Sequence, residues 1–357
     1  MTLNKQPNPD MFTLARQLRE LTQKDLAQEA NVSQGMISMV EQGVKEISGD
    51  LLQELSDTLK FPEDFFYQDG GNVEPGMRYY RKRSSVKKKH LNRIDAELNI
   101  VLRNIKKLLS SVEFIELKVP FLDLEEYNNS PSLIAQAVRE HWEIPKGPIK
   151  NLTEVIEAAG IIVIPWDFGT RKLDGFSFTV FNLPPIIFIN KDLGGDRQRF
   201  TLAHELGHII LHSNRPPIAD NEEEQANEFA SEFMMPAKDI KSKLFDLDLK
   251  KLASLKLQWK MSIAAIIMRA KSLDLITYNQ KRYLFQKLSK LGWRKSEPQE
   301  LEIPSERPSL LRELIDVHFN ELGYSLEELC EVLKIAPADF NKWYNNKATH
   351  LTLVRNK

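Results

Sequence analysis

The stretch Phe200-Thr-Leu-Ala-His-Glu-Leu-Gly-His-Ile-Ile-Leu-His212 guides the interpretation of the whole chain. Most of its residues are apolar, which predicts a buried helix. Residues four apart lie on one face of an α-helix, so His204 and His208 can bind the same metal ion, with Glu205 beside them. Ionisable side chains in such a helix need partners, because unpaired burial is costly. The stretch therefore predicts a metal-binding helix.

The order His-Glu-x-x-His is typical of zinc metallopeptidase chemistry. Two imidazoles bind Zn²⁺, and the carboxylate is the general base that acts on a water at the metal. In this interpretation His204 and His208 are metal ligands and Glu205 is the catalytic residue. A catalytic zinc site has a third protein ligand and one open position. A further ligand is therefore expected elsewhere in the chain.

The third ligand is expected on a helix from residue 221 that Pro236 ends. One face of this helix combines polar side chains with small alanines that let another helix approach closely. That face carries Glu223, Ala226, Asn227 and Ala230. Glu223 is the predicted ligand, and Asn227, one turn further on, is expected to hydrogen-bond a ligating imidazole. His212 is expected to be a core residue or an outer partner of the site rather than a ligand.

Length and composition describe an ordinary globular chain. The 357 residues carry a net charge of -1, with 42% apolar and 28% charged residues, so two or three domains are expected. Cys330 is the only cysteine, which excludes an internal disulfide and a cysteine-based zinc site. Its apolar helical surroundings predict a core position. No signal peptide and no membrane span are predicted, so a cytoplasmic location is expected.

Residues 1–69 predict a small helical domain. Thr22 can cap a helix with Asp25 as its capping-box partner, and Ser33 can cap the next one, which Gly43 ends. Two short helices joined by a tight turn form a helix-turn-helix pattern.

The unit Leu21-Thr-Gln-Lys-Asp-Leu-Ala-Gln-Glu-Ala-Asn-Val-Ser-Gln-Gly-Met-Ile-Ser-Met-Val-Glu-Gln-Gly43 closely resembles the Cro/C1-type (XRE) repressor family. In that family the third helix enters the major groove of double-stranded DNA. The resemblance implies base contacts from the start of the third helix and phosphate contacts from the start of the second. The corresponding residues are Ser33, Gln34, Gly35 and Ser38 on the third helix, and Gln23 and Lys24 on the second.

Charge is distributed unevenly along the N-terminal third. Residues 1–68 hold six Lys/Arg against eleven Asp/Glu, so they supply little phosphate neutralisation. A helical domain that binds protein is therefore an alternative. Residues 69–110 hold eleven Lys/Arg against four Asp/Glu. This basic linker and the amphipathic helix after it, together residues 70–120, can contact the DNA backbone, hold the acidic domain, or be a solvated connector.

Residues 121–245 predict an α+β metal domain. Apolar strands are expected at 160–165, 174–180 and 185–190, among helices. The third strand precedes the metal-binding helix, so its neighbourhood could hold an extended peptide by strand addition.

Two segments, His204-Glu-Leu-Gly-His-Ile-Ile-Leu-His212 and Glu223-Glu-Gln-Ala-Asn-Glu-Phe-Ala-Ser-Glu-Phe-Met-Met-Pro236, resemble the ImmA/IrrE family of metallopeptidases. The likeness covers about residues 130–245, and an XRE domain ahead of such a peptidase is a recurring layout of that family. It implies a zincin-like fold, a Zn²⁺ cofactor and an endopeptidase that cleaves repressors carrying helix-turn-helix domains.

The remaining residues are expected to be helical. Residues 246–296 resemble a second helix-turn-helix shape, and residues 297–308 are a Pro/Glu linker. Residues 305–357 predict a three-helix unit that pairs subunits or proteins rather than reading DNA.

The predicted fold class is α+β, mostly α. The predicted function is a homodimeric DNA-binding regulator with a zinc-dependent endopeptidase domain. It would bind an operator and respond to a signal, such as a stress, by cleaving a repressor or itself. The alternatives are a non-proteolytic transcription factor or an antitoxin whose peptidase-like fold senses a ligand, a metal or a partner.

Overall fold

The structure is a computed structural model that describes residues 6–69, 86–180, 182–213, 221–294 and 296–345. Most of the predicted basic linker, residues 70–85, lies outside these ranges. The chain divides into two compact units. Of the described residues, unit 1 comprises 6–69, 86–113 and 312–345, and unit 2 comprises those between 114 and 311.

Helices dominate, and the strands form one small sheet, so the α+β, mostly α, prediction is confirmed. The described helices are α1 (Pro9–Leu18), α2 (Gln23–Glu29), α3 (Gln34–Glu41), α4 (Gly49–Leu59), α5 (Lys88–Leu109), α6 (Pro131–His141), α7 (Leu152–Ala158), α8 (Gly195–His212), α9 (Glu222–Met234), α10 (Ala237–Ile240), α11 (Leu249–Trp259), α12 (Ile263–Ser272), α13 (Tyr278–Lys290), α14 (Leu310–Asn320), α15 (Leu326–Leu333) and α16 (Pro337–Trp343). The strands are β1 (Ile162–Trp166), β2 (Gly175–Phe178) and β3 (Ile186–Asn190).

The N-terminal helices of unit 1 begin where the sequence places good capping residues. Thr22 and Asp25 form the expected capping box at the start of α2. The Ser33 side chain accepts the backbone N–H of Met36 and so begins α3. α2 and α3 pack on each other, α3 also packs on α1, and residues such as Leu26 are buried. A helix-turn-helix results.

The C-terminal helices belong to the same compact unit as this helix-turn-helix. The Arg19 guanidinium donates two hydrogen bonds to the Asp339 carboxylate, at 2.9 and 2.7 Å. Glu97 of α5 accepts from the Trp343 indole at 3.0 Å. These helices come from three segments that the sequence predicts as separate, 1–69, 70–120 and 305–357. In the structure they form one unit, because their contacts join residues hundreds of positions apart.

The sheet of unit 2 has the order β1-β3-β2. β1 pairs parallel with β3, with Ile162 opposite Ile186, and β2 pairs antiparallel with it, with Phe176 opposite Phe188. All five residues of β3 are buried. The third strand is therefore central and bonded on both sides, so it cannot accept an added strand. Strand addition would have to use an edge, such as that of β2.

Helices from the two predicted segments 121–245 and 246–296 share one apolar core in unit 2. α8 packs on β2 and β3 on one side and on α9 on the other, while α6 also packs on α9. Leu252, Trp259 and Ile266 from α11 and α12 are buried in this same core. The segments 121–245 and 246–296, which the sequence separates, therefore lie in one compact unit.

The predicted Pro/Glu linker packs against unit 2, and we call residues 297–310 the strap. The backbone N–H of Gly195 donates to the Ile303 carbonyl at 3.2 Å. A Cβ on Gly195 would lie 2.4 Å from the Ile303 and Pro304 carbonyl oxygens, so only glycine fits here. Glu306 accepts from the side chain of Arg199, which is 1% exposed. The predicted Pro/Glu linker is therefore packed, and its Glu306 side chain neutralises a buried cation.

Within the described residues, no helix is both long and apolar enough to cross a membrane.

Candidate metal centre

α8 carries the histidines in its buried interior, as its apolar sequence predicts. His204 is 8% exposed and His208 is 4% exposed. The two helices α8 and α9 approach closely at Gly207, where a Cβ would lie 3.2 Å from the Ala226 Cα. Small residues on both helices therefore bring Glu223, on the first turn of α9, next to the histidines.

His204, His208 and Glu223 form a three-residue cluster able to hold a metal ion. The Nε2 atoms of His204 and His208 are 3.1 Å apart. Glu223 Oε2 is 3.5 Å from His204 Nε2, and its Oε1 is 3.8 Å from His208 Nε2. Zinc bonds of about 2.0–2.2 Å in tetrahedral geometry separate ligand atoms by about 3.4 Å. These two nitrogens and one carboxylate therefore fit Zn²⁺.

The field at this cluster favours a cation. Burial alone lowers the pKa of His204, but its hydrogen bond to Glu223 and the charges of Glu205 and Glu223 outweigh this and raise the pKa above the usual value. A histidine that is stabilised in its charged form lies in a negative potential. The same potential attracts Zn²⁺.

Each histidine has a hydrogen-bond partner on its outer nitrogen. His204 Nδ1 lies 3.1 Å from Asn227 Oδ1, the contact that the sequence analysis expects for Asn227. His208 Nδ1 lies 3.0 Å from His212 Nδ1, and His212 Nε2 lies 2.9 Å from Gln225 Oε1. Such partners orient metal-binding imidazoles. Gln225 was not predicted as part of the site, although the spacing of His212 from His208 is right for a contact between them.

Glu205 is 9% exposed, and its charge acts on His204 of the candidate metal cluster. Its Oε2 accepts a hydrogen bond from Ser177 Oγ at 2.8 Å. Ser177 belongs to β2, at the edge of the sheet. Ser177 could not be predicted from the sequence, since it is 28 residues from Glu205 and only the packing of α8 on β2 brings it close.

The end of α9 is anchored by a buried ionic network. Glu232, 2% exposed, pairs with Arg269 of α12. Its other oxygen accepts from Gln136 of α6 at 2.9 Å. Arg139 of α6 donates to the Phe233 carbonyl at 2.7 Å. These contacts hold the helix that supplies Glu223.

The predicted DNA-contact residues lie together on the surface of unit 1. Lys24 and the α3-start residues are exposed, while Gln23 and Ser38 are partly buried. Gln34 donates to the Gln23 side-chain oxygen at 3.0 Å, which joins the starts of α2 and α3. Gln23 in turn donates to Glu41 at 2.8 Å, and Glu41 pairs with Arg16. The two glutamines are therefore held in place before any ligand arrives.

Two segments of the chain match known protein families. Residues 14–66 match the helix-turn-helix family, and residues 156–271 match the IrrE N-terminal-like domain family. No curated protein matches the chain. The chain thus combines an XRE-type helix-turn-helix with an IrrE-type domain, as the sequence resemblance predicts. These domains define a DNA-binding regulator with a metallopeptidase-like domain.

The second match extends beyond the predicted metal domain. It continues to residue 271, past the predicted boundary at 245, and so includes α11 and most of α12. This agrees with the shared apolar core of unit 2. The IrrE N-terminal-like family is typically zinc-dependent, which is consistent with the donor set of the cluster.

Proposed function

We propose that this protein is a regulator that binds a DNA operator and carries a zinc-dependent endopeptidase, which cleaves a repressor protein or the chain itself in response to a signal. The observation that carries the proposal is the convergence of His204, His208 and Glu223 with Glu205 beside them. Two imidazoles and a carboxylate leave one position of a tetrahedral metal for water or substrate, as catalytic zinc sites require.

The chemistry divides between the metal and the chain. Zn²⁺, when bound, supplies a Lewis acid for the scissile carbonyl and acidifies a water. Glu205 accepts the proton of that water and later transfers it to the leaving amine. Ser177 donates to Glu205 Oε2 and so orients this carboxylate beside the cluster. Asn227 and His212 orient the ligating imidazoles.

The open edge of the sheet supports an extended protein substrate. β2 pairs with β3 on one side, and no other described strand pairs with it. Its residue Ser177 touches Glu205, so a segment added along β2 would pass next to the catalytic carboxylate. This placement favours cleavage of an unfolded or loop segment of a protein over hydrolysis of a small molecule.

DNA binding is assigned to the helix-turn-helix of unit 1. Gln34 at the start of α3 can bond adenine with both polar atoms of its amide. Ser33, Gly35 and Ser38 lie on the same helix start, and Gln23 and Lys24 would meet phosphates. Two-fold operators are read by dimers of such domains, so a homodimer is the proposed working form.

The test compares protein N-termini across the proteome of cells that express the wild-type chain, Glu205→Gln or Glu224→Gln, with and without a DNA-damaging agent. Glu224 is an exposed carboxylate on the same helix as Glu223, so its substitution is the matched control. A new N-terminus is expected with the wild type and Glu224→Gln and not with Glu205→Gln. The new N-terminus identifies the substrate.

The purified variants separate catalysis from metal binding. Glu205→Gln is expected to keep its zinc, measured by elemental analysis, whereas His208→Ala loses it. If wild type holds zinc and no Glu205-dependent cleavage occurs under either condition, the endopeptidase is contradicted. The non-proteolytic sensor is then favoured.

A further inference from the structure

A groove on unit 1 joins the predicted DNA-contact residues to the start of α5. Gln23, Lys24 and Gln34 line it from the helix-turn-helix, and Lys88 and Lys89 line it from α5. α5 packs along α1, and the first turn of α5 lines the same groove as the start of α2. Residues far apart in sequence thus form one continuous surface.

The exposed charge of this groove is positive. Lys24, Lys88 and Lys89 are exposed, and none of the three has a salt bridge within the described part of the chain. The acidic side chains in and around the groove have cationic neighbours. Arg16 pairs with Glu41, and Arg93 lies 4.0 Å from Glu20.

The one nearby carboxylate on α2 is already engaged. Hydrogen bonds from Thr22 lower the pKa of Asp25, and the charges of Lys89 and Lys24 lower it further. α5 is 22 residues long and starts at Lys88, so the positive end of its helix dipole lies at the groove. The lysines of the groove and the dipole of α5 both attract an anion.

We propose that the first turn of α5 binds the phosphate backbone of the duplex read by α3, so that Lys88 and Lys89 complete the DNA-contact surface. This inference rests on the proposed DNA binding of unit 1. Residues 1–68 hold six Lys/Arg against eleven Asp/Glu, too few to neutralise many phosphates. The start of α5 supplies this missing charge on the same surface as Gln34. The phosphates that the start of α5 contacts lie next to the base pairs that α3 reads.

The experiment measures the affinity of the full-length chain for a pool of random-sequence duplexes by fluorescence anisotropy, between about 50 and 200 mM KCl. Lys88→Gln/Lys89→Gln is compared with Lys106→Gln/Lys250→Gln. The control removes the same charge from two exposed lysines outside the groove. Since each phosphate contact contributes about 0.9 to the salt slope, the groove variant is expected to lose about 2 units of slope and about tenfold or more in affinity. The control is expected to keep the wild-type slope.

The outcomes separate the inference from the function on which it rests. Equal slopes for the groove variant, the control and wild type would overturn the role of α5. If the groove variant is less stable but has an unchanged salt slope, Lys88 and Lys89 hold the acidic domain. That result also overturns the proposed phosphate contact. If wild type binds no duplex at all, the DNA-binding function itself fails.

Discussion

The hydrogen bonds around His208 determine which nitrogen of each ring carries a proton. If His208 binds Zn²⁺ through Nε2, its proton is on Nδ1 and is donated to His212 Nδ1, 3.0 Å away. His212 then carries its own proton on Nε2 and donates it to Gln225 Oε1 at 2.9 Å. This chain of donors is consistent at every step, so we expect His212 to position His208 at the candidate metal site.

Two substitutions of His212 test this role. Asn places its amide near the position of His212 Nδ1 and can still accept the hydrogen bond from His208. Leu has the same shape as Asn but cannot accept a hydrogen bond. His212→Leu is expected to weaken zinc binding about 10–100-fold, and His212→Asn less, because the unsupported His208 imidazole loses its orientation. Zinc affinity is measured by competition with a chromophoric chelator. Equal affinities for the two variants would contradict the hydrogen bond's role. If both variants lose zinc affinity to the same extent and the spectrum of the Co²⁺-substituted protein also changes, His212 is a direct ligand.

Cys330 is the core residue that the sequence predicts. It is 3% exposed, and burial, with the nearby Glu327 charge, raises the pKa of its thiol to about 11. At pH 8 only about one thiol in a thousand is then ionised, and the thiolate is the reactive form. Folded protein is expected to resist Ellman's reagent at pH 8, and to react faster as pH rises toward 11. Rapid stoichiometric labelling of the folded chain at pH 8 would contradict this burial.

At the scale of elements, the strap holds the N-terminal half of α8. Arg199 is 1% exposed, and burial lowers its pKa although Glu306 opposes the shift. Glu306 also accepts from the Thr153 backbone and hydroxyl, at 2.8 and 2.9 Å. One carboxylate therefore connects the strap, α7 and the metal-binding helix.

Glu306→Ala tests the strap. Removing the carboxylate leaves a buried guanidinium without its counter-charge, which costs about 3–5 kcal/mol of unfolding free energy. Glu302→Ala, at an exposed position of the same strap, is the control and is expected to change stability by less than about 0.5 kcal/mol. Urea denaturation measures both. Similar values for the two variants would show that the strap does not stabilise α8.

At the scale of the whole molecule, the chain enters unit 2 from α5 and returns to unit 1 through the C-terminal helices. Unit 1 is therefore complete only when residues 312–345 are in place. Its parts are joined by a partly buried ion pair, Arg19–Asp339, whose side chains are 23% and 9% exposed. An exposed ion pair, Lys334–Asp64, joins the same parts, and its Asp64 side chain is 68% exposed.

These two pairs give a matched comparison. Asp339→Ala is expected to destabilise unit 1 by about 1–3 kcal/mol, because Arg19 loses a charged two-point partner in a partly buried site. Asp64→Ala is expected to cost about 0–1 kcal/mol, since exposed pairs contribute little. Labelling of Cys330 in increasing urea reports the opening of unit 1 in both variants. A larger effect for Asp64→Ala would contradict the assembly of unit 1 around Arg19.

Local patterns in the sequence determined the elements and the chemistry of the candidate site. Spacing of four on an apolar helix predicts that His204 and His208 share a face, and small residues beside Glu223 predict its close approach. The capping residues Thr22 and Ser33 likewise begin their helices where expected. These properties depend on neighbours within one or two turns, so they can be predicted without the fold.

Only the tertiary structure decided which distant segments meet. Ser177 reaches Glu205 because β2 is at the edge of the sheet beneath α8. The strap neutralises Arg199 from 107 residues away, and Asp339 binds Arg19 across 320 residues. Composition marked the strap as a linker and the last helices as a separate unit, because sequence patterns contain no information on long-range pairing. That pairing depends on burial and charge compensation, which exist only in the folded chain.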